Sequence, residues 1–179
     1  MSYDTVQFYN AALAIVGGIG AAAISFRLLP PLSPAFRAHR LLGLTLRDLR
    51  RLAMGPVPWT ADDWEGRICG RLAAMPEAAE PLQRSQLVTA LSVGNGIIQL
   101  RRIVPQLSLD SDLDLALEAL AQGNSAIATT RLARLDDRLA SLPGVGSGAP
   151  LALQARGSIL AITEALSEHA AYFDTGAPR

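Results

Sequence analysis

Asp110, Asp112 and Asp114 look most like chemistry, because alternate acids open a calcium loop and can wrap oxygen ligands round a hard cation. Such a loop needs Gly at its sixth position and Glu at its twelfth, and here Leu115 and Ala121 stand there. The three acids read instead as charges that a helix N-terminus attracts. His39 and His169 are far apart and have no companion at metal-ligand spacing, so no metal site is expected. Cys69 sits between Arg67 and Arg71, cationic neighbours that a thiolate nucleophile would use, but its helical position reads as a small core residue. As the one cysteine it also excludes an internal disulfide and a Cys-pair zinc site. Gly94-Asn95-Gly96 has no strand before it and no third glycine, which points to a kink or a close helix crossing rather than a nucleotide loop. Trp59 and Trp64 read as packing anchors, a role that a position near a bilayer surface would also suit. No catalytic, cofactor-binding or metal residue emerges, and the expectation is a protein that is not an enzyme and needs no cofactor.

The elements that carry these residues are apolar. Half of the 179 residues are hydrophobic and 18% are charged, below the roughly 25% of soluble domains, which disfavours disorder and points towards lipid. Sixteen basic residues, all Arg, balance sixteen acids, so there is no global positive field and no nucleic-acid partner is expected.

Between Asp4 and Arg27 lie 22 residues without a formal charge. As a helix they would reach about 33 Å, enough to cross a hydrocarbon core. A signal peptide fits poorly, since no basic residue precedes the run. Six arginines follow the span (Arg27, Arg37, Arg40, Arg47, Arg50 and Arg51) and none precedes it, so the N-terminus is expected outside and the remainder in the cytoplasm. The strongly apolar side chains are Val6, Phe8, Leu13, Ile15, Val16, Ile19, Ile24 and Phe26, worth only a few kcal/mol of insertion together at about 0.3 to 0.6 kcal/mol each. Small residues fill the rest. Asn10, Ala14, Gly17, Ala21 and Ser25 share one face, and Gly18 and Ala22 repeat the pattern beside it, a seam that lets another membrane helix approach closely.

After Pro30 and Pro31, Ser33-Pro34 is a capped helix start. To Met54 the pattern is amphipathic, with Ala38, Leu41, Leu42, Thr45, Leu46, Leu49, Leu52 and Ala53 on one face. Arg37, Arg40, Arg47 and Arg51 line the other, either as a solvated face or as contacts to anionic lipid, where each Arg can contribute about 1 kcal/mol. Further helices are expected from Thr60 to Met75, Glu77 to Val104, Leu109 to Ala121, Ser125 to Leu142 and Leu151 to Phe173, with a loop over Pro143 to Pro150. The fold class is all-α: a transmembrane helix and membrane exit over residues 1–31, then a cytoplasmic helical bundle over residues 32–179.

The run MSYDTVQFYNAALAIVGGIGAAAISFRLLPP resembles the last membrane span of the fusaric acid resistance (FUSC) family of inner-membrane efflux proteins, relatives of the aromatic carboxylic acid exporters. The similar parts are Met1 to Asp4, the small-residue span Val6 to Phe26, the Arg27 to Pro31 exit and the Arg-rich helix from Phe36. Trp64-Glu65-Gly66-Arg67 with Arg71-Leu72 resembles a further family segment, and the likeness is carried mainly by residues 1 to 105. The resemblance implies a bacterial inner-membrane protein that exports aromatic or other organic acids, coupled to protons, with a periplasmic adaptor and an outer-membrane channel as partners. Family members are several times longer, with two blocks of membrane helices, so this chain is expected to be a C-terminal part that transports nothing without further spans or a homo-oligomer. Two other readings remain open: a single-pass tethered helical module that binds a protein partner or an anionic lipid surface, and a soluble bundle with Val6 to Phe26 at its centre.

Overall fold

α4 (Pro81–Ile103) is the hub of the molecule, because small and apolar residues face out of it on more than one side: Leu87, Ala90, Val93, Gly94, Gly96, Ile97, Leu100 and Ile103 are all buried. The computed structural model describes residues 5–28, 33–55, 59–141 and 148–174, and of residues 5–7, 11, 26–28 and 148 the backbone alone. The other helices are α1 (Thr5–Leu28), α2 (Pro34–Met54), α3 (Ala61–Ala73), α5 (Asp110–Ala121), α6 (Ser125–Ala140), α7 (Gly148–Glu168) and the short α8 (Ala170–Phe173). The described residues contain no strand, so the all-α expectation holds.

Five helices close a ring: α2 packs on α4, α4 on α7, α7 on α6, α6 on α5, and α5 back on α2. α3 is applied to α4 from outside, and α1 takes no part in the ring. Leu49, Leu87, Ile97, Leu100, Leu117, Leu132, Leu135, Ile162 and Leu166 fill the core. Such burial is worth on the order of 1.5 to 3 kcal/mol per large side chain.

Local chemistry sets the helix ends. The Phe36 amide donates to Ser33 Oγ at 3.2 Å, with Pro34 in the first turn of α2. At α3 the Asp63 amide donates to Thr60 Oγ1 at 3.2 Å and the Thr60 amide donates back to Asp63 Oδ2 at 3.0 Å, a reciprocal cap. That backbone bond from Thr60, with its hydroxyl, holds the Asp63 carboxyl below the usual carboxylate range. α4 starts at Pro81, four residues later than the sequence suggests, because the residue before a proline is pushed to extended backbone and Glu80 takes ψ 145°. α7 starts at Gly148, inside the expected Pro143–Pro150 loop, of which 143–147 lie outside the described residues. His169 breaks the last helix expected to run to Phe173. The domain boundary expected at residue 31 falls outside the described residues.

The two glycines at Gly94-Asn95-Gly96 mark a close crossing on two sides. A Cβ on Gly94 would lie 2.2 Å from the Trp64 indole of α3, and one on Gly96 would lie 2.9 Å from Ile162 of α7. α4 continues through them as regular helix, and a 3-10 turn, Val104–Leu107, follows it at Pro105.

Candidate functional site

The site follows from what the ring leaves uncovered. Along Phe8–Ser25, the stretch of α1 long and apolar enough to cross a membrane, no described side chain is buried. Leu13 and Val16 are each 69% exposed, and Phe8, Ile15, Ile19 and Ile24 are exposed as well. A contiguous apolar surface of this kind is unstable in water and requires another medium or another helix to cover it. The reading of this segment as the centre of a soluble bundle is therefore overturned: α4 holds that place, and α1 lies outside the ring. Val6 and Phe26, counted among the apolar side chains of the span, lie outside the described side chains.

Asn10, Ala14, Gly17, Gly18, Ala21 and Ala22, expected to form a packing seam, are all exposed on α1. Gly17 and Gly18 have open space where a side chain would stand. Among the described residues nothing in this chain occupies the seam.

α2 divides as its periodicity suggests. Ala38, Leu42, Thr45, Leu46, Leu49, Leu52 and Ala53 are buried and Leu41 is half-buried. Arg37, Arg40, Arg47 and Arg51 are exposed on the opposite side, and none of them makes an ion pair among the described residues.

Asp48 is the single acid among these arginines. Helical spacing sets it at the edge of the Arg stripe, yet it is only 8% exposed, because α3 covers it. Arg71 forms an ion pair with it and also donates from Nη1 to Thr45 Oγ1 at 3.0 Å, while Arg67 reaches Asp48 at 4.0 Å. The Thr45 hydroxyl in turn donates to the Leu41 carbonyl at 2.9 Å. Nearby, the Tyr172 hydroxyl donates to the Leu42 carbonyl at 3.2 Å, and burial pushes the phenol pKa far up, so it stays a protonated donor. Arg50 donates from Nη2 to the Phe173 carbonyl at 3.0 Å, tying the end of α8 to α2. These are bonds that orient α2 against α3 and α8.

The remaining residues that resembled chemistry are absorbed by packing. Asp110 and Asp112 occupy the first turn of α5, Asp112 pairs with Arg138 and Asp114 lies 3.5 Å from Arg101. His39 Nδ1 lies 3.4 Å from Gln83 Nε2, and His169 Nε2 lies 3.2 Å from Ser85 Oγ. Trp64 is fully buried with Nε1 donating to the Leu91 carbonyl at 3.1 Å, and Trp59 stacks on it with the Arg67 guanidinium 4.4 Å from its ring centre. Cys69 is exposed, against the expectation of a core position. α3 has one covered side, which Trp64 and Ile68 occupy, and Cys69 is turned one step away from it.

Comparison with curated proteins and with solved structures gives no match. The model of the fusaric acid resistance protein family matches residues 1–174, well past the first 105 residues that carry the visible likeness. With an uncovered membrane-length helix, an Arg-lined helix after it and a match over nearly the whole chain, the protein belongs to the fusaric acid resistance protein family, a membrane-associated family of transport proteins.

Proposed function

We propose that this chain is the C-terminal part of an inner-membrane efflux transporter for aromatic or other organic acids, with α1 as its last span and α2 to α8 as a cytoplasmic bundle. The supporting observation is α1 itself, which is uncovered along Phe8–Ser25 and carries its small residues on an unoccupied face. A single span encloses no path, so neighbouring spans or copies of this chain supply the rest. A periplasmic adaptor and an outer-membrane channel complete the export route.

Expressed alone in a strain that lacks its own aromatic acid exporters, residues 1–179 give no better survival on fusaric acid than an empty vector. A longer relative loses its protection when the matching region is deleted. Survival conferred by this chain alone would overturn the fragment reading and require a homo-oligomeric path.

The orientation has its own test. A reporter active only in the periplasm, fused to Arg179, stays silent, because the arginines that follow the span hold it on the cytoplasmic side. A strong periplasmic signal reverses the topology.

A second reading is favoured by the four exposed arginines of α2: a membrane-tethered module whose Arg37, Arg40, Arg47 and Arg51 bind an anionic lipid surface. Salt separates it from the first, since contacts of this kind weaken above about 0.15 M as screening shortens to about 8 Å.

A further inference from the structure

We propose that a groove between the first half of α2 and the end of α3 is a binding site for one anionic phospholipid, with the phosphate on Arg37 and Arg40 and part of an acyl chain in the groove. The groove encloses about 280 Å³ and is lined by Phe36, Arg37, Arg40, Leu41, Leu44 and Ala74. Phe36 is 53% exposed and Leu44 36%, in a helix whose other large apolar residues are, but for the terminal Met54, wholly or half buried in the ring.

Spacing explains the mixed lining. Phe36, Arg40 and Leu44 stand one above another at four-residue steps, and Arg37 and Leu41 form the row beside them. Arg40 therefore has apolar neighbours above and below it, and Arg37 has Leu41 one turn on, an amphipathic order that suits a charged headgroup attached to a hydrocarbon chain. The Ser33 cap fixes the first turn, so these side chains are presented from a rigid backbone.

Place supports the choice of a lipid over a soluble anion, and here the proposal rests on reading α1 as a span. α1 ends at Leu28 and α2 begins at Pro34, so the six intervening Cα steps span at most about 22 Å. The first turn of α2 is thus held near the headgroup layer. Arg47 and Arg51 lie about 15 and 21 Å farther along the helix axis than Arg37, and neither lines the groove.

The test uses the full chain purified in mild detergent, offered equal amounts of phosphatidylglycerol and phosphatidylcholine, with retained lipid counted by native mass spectrometry. One phosphatidylglycerol per chain is expected. Exchanging Arg37 and Arg40 for Gln weakens it about thirtyfold, the factor that two basic side chains contribute at about 1 kcal/mol each at an anionic surface. Ala74→Phe, which fills the groove from an exposed position, and Leu44→Gln also lower retention, whereas the Arg47→Gln, Arg51→Gln pair keeps it. Retention of both lipids alike, an equal loss in the two arginine pairs, or a dimer with no lipid bound would each overturn the proposal. Carbonate washing of membranes separates the two readings. A chain that stays in the pellet yet retains no lipid loses the groove and keeps the span, and a chain that is washed out loses the span.

Discussion

Gly94→Ala is expected to destabilise the bundle by about 2 to 4 kcal/mol, although an alanine in the middle of a helix ordinarily gains about 1 kcal/mol over glycine. The new Cβ would lie 2.2 Å from the Trp64 indole, a distance no packed carbon tolerates. Trp64 is a rigid ring with no exposed surface, and moving it also breaks its bond to the Leu91 carbonyl. Expelling a buried Trp forfeits on the order of 3 to 5 kcal/mol, which outweighs the propensity gain. Thermal unfolding of the full chain in detergent, followed by circular dichroism, should show a midpoint lower by roughly 10 °C. In a Trp64→Ala background the same change should cost almost nothing, since the clash has gone. A midpoint within 2 °C of the parent, or strict additivity of the two changes, would falsify this account of the crossing. Gly96→Ala is expected to be milder, because its nearest atoms at 2.9 Å are the flexible end of Ile162.

Asp48→Ala should rank with it, at about 3 kcal/mol or more. It leaves the Arg71 guanidinium, whose side chain is only 15% exposed, without its counter-charge and with Thr45 as its remaining partner. Removing one member of a buried pair costs about 3 to 5 kcal/mol because the other cannot return to water. Replacing Asp48 with Leu and Arg71 with Met together should restore most of the loss, since two apolar groups of similar volume need no solvation. The loss should also persist at high salt, which separates it from the effect of changing Arg37 or Arg51 on the exposed face. A single change within 1 kcal/mol of the parent, or a pair as unstable as the single variant, would show that water reaches the site.

Much of this protein is set by sequence periodicity. The long apolar α1, the amphipathic α2 with its buried and Arg faces, the capped start of α3 and the all-α class all arise from interactions within a few residues, where spacing along the chain equals spacing in space. Family membership was legible for the same reason, in the ordered run from Met1 to the Arg-rich helix. Prolines and glycines near helix ends were read less well. Glu80 is set by its neighbour Pro81, and Gly148 begins a helix where a glycine-rich stretch looks like loop.

Tertiary structure alone decided what covers each face. Cys69 and Asp48 show this most clearly: the first was expected in the core and is exposed, and the second, at the edge of the Arg stripe by helical spacing, is buried. Burial at the edge of a helical stripe depends on whether a second helix arrives there. α3 arrives over Asp48 carrying Arg71, and is itself covered on one side only, so Cys69 faces out. The closed order of α2, α4, α7, α6 and α5 likewise depends on contacts between residues far apart in the chain, such as Gly96 with Ile162 or Arg156 with Asp136. Local propensity carries no information about such pairs, because it is fixed by near neighbours, whereas packing is fixed by whichever surfaces are complementary once the helices exist.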